Sequence, residues 1–318
     1  MGGFSVSKKA DFPVVAILSG GTSGEREVSI RSAKALCKAL EEFYPVDLID
    51  VTVDALPREL DSERHVVLSA LHGTFGEDGG MQKLLEDAGF SYSGSDSESS
   101  RLCMDKTAAK ELVAAAGVRS PAGRLLDNSA TADPAALISE LGASLILKPN
   151  NEGSSIGLHF VGGVEELERK LKELPAGEWM IEQRVYGREL TVGILENRAL
   201  GVVEIVPRSG RFDYESKYTA GMTEYHWPAK LTDQQTAEIR QMAEIAFRAC
   251  GCRDFARADF MMSDRGEIFF LEINTLPGLT ETSLLPKSAL CEKIDFPVLA
   301  KKLAEPAVKR FAELHLTR

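Results

Sequence analysis

Residues 255–280, FARADFMMSDRGEIFFLEINTLPGLT, decide how this chain is read. Two apolar runs, 255–262 and 267–274, flank Ser263-Asp264-Arg265-Gly266 and predict an antiparallel hairpin. Alternate residues of a strand share a face. Arg257 and Asp259 therefore point one way on the first strand, and Glu272 and Asn274 point one way on the second. A connection with an even number of residues puts both sets on the same face, whereas an odd one without a bulge separates them. The Asp-Arg-Gly turn predicts the even case. Two carboxylates, an amide oxygen and a guanidinium would then converge. Hard oxygen donors with few carboxylates suit a Mg²⁺ ion shared with nucleotide phosphates. A solvated outer face of the hairpin fits the same pattern, and these residues alone leave both readings open.

The rest of the chain bounds the choice. It has 318 residues, enough for two or three compact units, with the 44% hydrophobic and 27% charged content of an ordinary globular protein. No apolar run has the length of a membrane span, and residues 1–12 lack the apolar core of a signal peptide. A net charge of −11 argues against nucleic acid as a main partner. Cys37, Cys103, Cys250, Cys252 and Cys291 are odd in number and scattered, and Cys250-x-Cys252 is too close for a zinc pair. All five are expected to be reduced thiols in a cytoplasmic protein.

From the N-terminus, strand patterns at 13–18, 46–51 and 66–71 alternate with helical spacings, Ala33, Leu36, Leu40 and Phe43 in one and Met81, Leu84, Leu85 and Ala88 in another. That alternation predicts a parallel, doubly wound α/β sheet over residues 1–100. Asp105 is placed to cap a helix that Gly117 ends. Strand patterns at 144–148, 156–161 and 179–183 and a helix carrying Val164, Leu167, Leu171 and Leu174 make a small α+β unit, 101–186. The third unit, 187–318, opens with strands at 189–195 and 199–206. Residues 207–228 then read as a long polar loop, and such a loop inside a compact domain is usually a lid or binding loop. A helix with Ile239, Met242, Ala243 and Ala246 leads into the hairpin, and 296–314 is helical.

Several loops carry chemistry. Residues 19–24, SGGTSG, sit between a strand and a helix, where backbone N–H groups favour an anion. They match neither G-x-G-x-x-G nor the Walker loop. Glu25 and Glu27 at the helix start would repel a phosphate and suit a substrate ammonium, with helix capping as the alternative. Gly153-Ser154-Ser155-Ile156-Gly157 matches G-x-S-x-G, but a strand pattern follows where the hydrolase elbow needs a helix. It reads better as a Gly/Ser flap able to fold over phosphates, with Lys148 at the end of the preceding strand. Glu182 and Glu189 fit surface salt bridges equally well.

Taken in order, SGGTSGEREVS, LHGTFGEDGGMQ, MDK, KPNNEGSSIG, GRELTVG, ESKY, ARADF and LEINTLPGLTETS span nearly the whole chain. The set resembles the ATP-grasp superfamily and, within it, the D-alanine–D-alanine ligases. The resemblance implies an ATP-grasp fold: an N-terminal substrate-binding domain (1–100), a central ATP-grasp subdomain (101–186) and a C-terminal one (187–318) with the lid 207–228. It implies ATP and two Mg²⁺ (or Mn²⁺) ions as cofactors, two D-alanines as substrates, and a homodimer, the usual state in the family. Lys106 and Lys148 look like lysines on the ATP phosphates, with Ser155 of the flap and Lys217 of the lid. Glu182 and Glu189 look like the adenine-side and ribose-side carboxylates, with Gln183 and Val185 lining the base. Asp259, Glu272 and Asn274 look like the metal ligands.

The resemblance also implies that Glu25 takes the ammonium of the first D-alanine and that His72 lies near its carboxylate. Arg257 and the Gly278 N–H look like the oxyanion site, and Ser283 and Leu284 like the clamp on the second D-alanine. Tyr218 would bond Ser154 and close the lid. Relatives that make D-alanyl-D-serine or D-alanyl-D-lactate tend to differ in the long loop. Glu215-Ser216-Lys217-Tyr218 matches the dipeptide-forming pattern here. Gly24 and Gln183-Arg184 are mild departures. A nucleotide-binding module without catalysis is the opposed reading, and retention of Arg257 with all three metal-ligand candidates speaks against it.

Overall fold

Val15 and Ile17 face one way from strand β1 (Val14–Gly20), and Ala16 and Leu18 the other; all four are fully buried. A strand apolar on both faces needs cover on both. In the computed structural model, which describes residues 12–127, 132–154, 156–210, 219 and 221–316, it has that cover. β1 is central in a parallel sheet of order β2-β1-β3-β4, with β2 (Val46–Val51), β3 (His65–Ser69) and β4 (Ser91–Tyr92). One face packs on α1 (Arg26–Leu40) through Ala33, Leu36 and Leu40. The same core takes Leu299, Leu303 and Ala307 from α9 (Phe296–Leu316), the far end of the chain. The other face packs on α2 (Gly80–Asp87) through Met81 and Leu85. β2 and β3 are joined by a loop without a helix, residues 52–64.

A second sheet, antiparallel and ordered β5-β8-β6-β7, holds β5 (Gly123–Asp127), β6 (Ser144–Pro149), β7 (His159–Gly162) and β8 (Glu178–Gln183). α5 (Pro134–Leu141) and α6 (Val164–Glu173) supply Leu137, Leu141 and Leu167 to its core. The third sheet, β11-β10-β9-β12-β13, is also antiparallel: β9 (Gly187–Leu195), β10 (Arg198–Pro207), β11 (Thr223–His226), β12 (Phe255–Ser263) and β13 (Ile268–Asn274). α7 (Asp233–Ala249), started by a Thr232/Gln235 capping box, buries Ile239, Ala243, Ala246 and Phe247 against it. α8 (Leu284–Cys291) covers β9 and β10 at Gly193 and Gly201, where a Cβ would meet α8 atoms at 2.6 and 2.1 Å. α3 (Ser97–Met104) and α4 (Lys106–Ala115) run between the first and second sheets in sequence.

Three expectations change. Residues 223–226 of the predicted loop 207–228 pair with β10 as an edge strand, and most of the remaining loop, 211–218 and 220, lies outside the described residues. The hairpin turn is not even: Ser263 N donates to Glu267 O and Gly266 N to Ser263 O, each at 2.8 Å, enclosing three residues with Gly266 at φ +81°. That is a type I turn closed by a left-handed glycine. The third change is a bulge further along, where the register shifts between Asp259 and Phe260 and Leu271 is left without a partner. The bulge offsets the odd turn, and the polar set stays on one face after all. All five cysteines are free thiols, with Cys103 Sγ and Cys252 Sγ 3.5 Å apart in a buried contact.

Candidate active site

With the bulge in place, Arg257 lies directly opposite Asn274, and Asp259 opposite Glu272. Arg257 grips Asp259 with two charge-assisted hydrogen bonds, Nε to Oδ1 at 2.9 Å and Nη2 to Oδ2 at 2.7 Å. Thr191, the neighbour of Asp259 on β9, donates its hydroxyl to Oδ1 at 2.5 Å. Burial alone would lower the Arg257 pKa, but the facing Asp259 carboxylate outweighs it and raises it further. Asn274 Oδ1 accepts from Leu276 N at 2.8 Å, which fixes the amide at the strand end.

Across the cleft, Glu182 of β8 sits diagonally from Lys148 of β6, because Ile146 pairs with Glu182 and Lys148 with Met180. Lys148 Nζ donates to Glu182 Oε1 at 2.7 Å, and Lys110 Nζ donates to Oε2. Burial would raise the Glu182 carboxyl, but the two lysines hold it down to about 2. Lys106, the first residue of α4, donates to Glu152 O and lies 3.8 Å from Glu272. One cleft is lined by Lys106, Lys148, Glu182, Gln183, Val185, Glu189, Arg257, Asp259 and Glu272, with Ile146, Ile156, Leu158, Phe160, Met261 and Leu271 as apolar wall. Adjacent Leu271 and Glu272 both reach it, as a bulge allows. A cation row facing apolar walls suits a flat base carrying phosphates.

A smaller cavity lined by Glu77, Lys106, Gly153, Glu272 and Asn274 continues past the cleft. Around it, Glu25 occupies the N-cap of α1 without capping it; its Oε1 accepts from Ser154 Oγ of the flap. The capping alternative for Glu25 is thereby excluded. Ser154 holds φ at +55°, a strained value for a non-glycine residue. His72 is buried, with Nδ1 3.0 Å from Glu77 Oε1 and Nε2 3.4 Å from Ser32 Oγ. The flap joins β6 to β7, so Gly153–Gly157 has no helix after it and the nucleophile-elbow reading fails.

Beyond the hairpin, a Cβ at Gly278 would stand 2.9 Å from Ser283 Oγ, so a larger residue there would have to turn that hydroxyl aside. Ser283 occupies the N-cap of α8, with Leu284 as its first residue. Its hydroxyl is turned to Thr280 instead of the helix, at 2.8 Å from Oγ1. Ser155, Lys217 and Tyr218 lie outside the described residues. Two buried residues escaped the sequence reading, Glu77 and Lys110. Lys110 had a usable signal, one helical turn after Lys106; Glu77 was visible only as one acid in a glycine-rich turn. Among the described residues, no group of three His, Cys, Asp or Glu side chains is arranged to hold a metal by itself, and no helix is long and apolar enough to cross a membrane.

Comparison with known proteins points the same way. The family model described as D-ala D-ala ligase C-terminus matches residues 121–305. A D-alanine–D-alanine ligase of Desulforudis audaxviator is 40% identical over 303 residues, covering 93% of this chain and 99% of that protein. The solved D-alanine–D-alanine ligase of Bacillus anthracis complexed with ATP superposes with a TM-score of 0.83 at 28% identity, over 95% of this chain and 99% of that one. The VanG D-Ala:D-Ser ligase of Enterococcus faecalis superposes with a TM-score of 0.80 at 28% identity, over 93% and 100%.

Proposed function

This chain belongs to the D-alanine–D-alanine ligase family, and from that premise we infer that it joins two D-alanines with the cleavage of ATP, for peptidoglycan precursor synthesis. The observation that carries the reading is the single cleft to which β6, β8, α4 and the β12–β13 hairpin each bring a charged group. Its ends differ in chemistry. Lysines and apolar walls lie at the Glu182 end, and the acids Glu25 and Glu77 lie beyond the Glu272 end. That polarity suits a nucleotide on one side and an amino acid on the other.

The family resemblance implies a role for each residue, and the groups they offer suit it. Lys106 and Lys148 bind the phosphates, together with Ser155 and Lys217. Glu182, Gln183 and Val185 meet the base, and Glu189 the ribose. Asp259, Glu272 and Asn274 would hold two Mg²⁺ (or Mn²⁺) ions. They are hard oxygen donors sharing one strand face, too few to complete a shell without phosphate oxygens and water. Bound there, the metals would neutralise charge on the transferring phosphoryl group. Glu25 holds the ammonium of the first D-alanine, with His72 beside its carboxylate. That carboxylate takes the phosphoryl group and becomes an acyl phosphate, a far better electrophile. The amine of the second D-alanine, held at Ser283 and Leu284, attacks it. Arg257 and the Gly278 N–H stabilise the tetrahedral oxyanion, where preorganised donors give most. Tyr218, bonded to Ser154, would close the loop between β10 and β11 over the site and exclude water. The division at 1–100, 101–186 and 187–318 accords with three sheets, and a cytoplasmic homodimer goes with the reading.

D-Serine or D-lactate as the second substrate is the rival, since the D-Ala:D-Ser ligase shares the fold. Glu215-Ser216-Lys217-Tyr218 favours the dipeptide. The test is phosphate release with ATP, Mg²⁺ and D-alanine, compared with D-serine or D-lactate added as second substrate. Turnover with D-alanine alone, little raised by the others, is expected. No phosphate release under any condition would leave only the non-catalytic nucleotide module.

A further inference from the structure

Lys110 has no place in the roles above, yet it is among the most buried cations of the chain. Its ammonium and that of Lys148 take one oxygen each of Glu182, giving two positive charges on one carboxylate. The trio carries one excess cation; Glu272 answers it through space at both lysines, and a phosphate oxygen would answer it directly. The two lysines are not equivalent. Lys148 and Glu182 line the cleft, whereas Lys110 stands behind Glu182 and does not reach it. Lys110 is also firmly mounted. Asn150 ties the start of α4 to the end of β6, accepting from Thr107 N at 3.0 Å, donating to Asp105 Oδ1 at 2.8 Å, and accepting from Lys106 N through its carbonyl at 3.1 Å.

We propose that Lys110 is a positioning residue for base selection: it is the permanent counter-ion of Glu182, while Lys148 exchanges Glu182 for a phosphate when nucleotide binds. The proposal rests on the nucleotide reading of this cleft. An ionised carboxylate only accepts hydrogen bonds. Held ionised by Lys110, with the oxygen vacated by Lys148 turned to the base, Glu182 accepts from the amino group of a 6-aminopurine. A 6-oxopurine presents an acceptor there and is repelled. Burial pulls the Lys110 pKa down to about 8 against the lift from Glu182, so below about pH 8 the ammonium is the form that this carboxylate keeps in place.

Steady-state kinetics with ATP and with inosine triphosphate test this. Lys110→Met should raise the KM for ATP by about tenfold to a hundredfold, the worth of a lost hydrogen bond to a charged group. It should narrow the preference for ATP over inosine triphosphate while leaving kcat at saturation within a few-fold. Glu182→Gln should narrow the same preference. Adding Lys110→Met to Glu182→Gln should change it little further, because the pair acts as one unit. Lys110→Met alone keeps the Lys148–Glu182 pair and buries no lone charge, and far-ultraviolet circular dichroism checks that each variant folds. A Lys110→Met enzyme with wild-type KM and preference, or with only kcat reduced, overturns the proposal. So do equal and additive losses from the two substitutions. If Glu182→Gln leaves the preference untouched, the nucleotide reading of this end of the cleft falls, and the role of Lys110 with it.

Discussion

Replacing Arg257 by alanine should damage the protein in two separable ways. The side chain and that of Asp259 are 8% and 11% exposed, and two charge-assisted bonds join them. Removing one partner of a buried pair costs about 3–5 kcal/mol, because the other charge is stranded. Thr191 still donates to Asp259, so the lower end of that range is expected. The second effect is on chemistry. Loss of one oxyanion donor costs roughly 10²–10³ in kcat. Urea denaturation reads the first effect, and phosphate release at saturating ATP and D-alanine reads the second. Adding Asp259→Asn to Arg257→Ala should recover stability and leave turnover absent, because the stranded charge is gone while a metal-ligand candidate is lost. A variant with normal kcat and a change confined to the KM for ATP would refute the oxyanion role, and unchanged urea stability would refute the stranded-charge account.

Glu272→Gln should abolish metal-dependent turnover while far-ultraviolet circular dichroism stays native; full activity would sink the metal assignment. Acid stability should depend on Glu182. Its folded pKa, about 2, lies below the ordinary 4.5, so its contribution is complete above pH 4.5 and is lost as pH falls toward 2. The loss is about 3 kcal/mol at roughly 1.4 kcal/mol per unit, and the difference in urea midpoint between wild type and Glu182→Gln should shrink across that window. Ser154→Ala removes the hydroxyl that bonds Glu25. It should raise the KM for D-alanine by about tenfold or more with little change in that for ATP, and isothermal titration with D-alanine would check it.

Much of this was legible because it is local. Strand alternation put Arg257, Asp259, Glu272 and Asn274 in step, and the cap at Asp105 is written in neighbouring residues. What escaped was set by distant packing. The register of β13 depends on a bulge at Leu271, which has no marker in a run as uniform as IFFLEIN. β11 is strand because β10 offers it an edge, not because TEYH alternates. Lys110 stands one turn after Lys106, but the partner that gives it meaning, Glu182, is 72 residues away on β8. Glu25 could have capped its helix, and only the flap decides that it does not.

The packing of α9 sets an order of events during synthesis. Phe296, Leu299, Leu303 and Ala307 complete one face of a sheet whose strands end at Tyr92. As the chain leaves the ribosome, that face must wait for some 200 further residues before its cover arrives. The second and third sheets, whose strands and helices are contiguous in sequence, can assemble meanwhile. The end of the cleft that holds Glu25 and His72 is therefore the last to be finished. A chain that is stalled or cut before residue 296 would leave the part of that face that α1 does not cover open around Val15, Ile17 and Leu68, a patch for chaperones and proteases to read as unfinished.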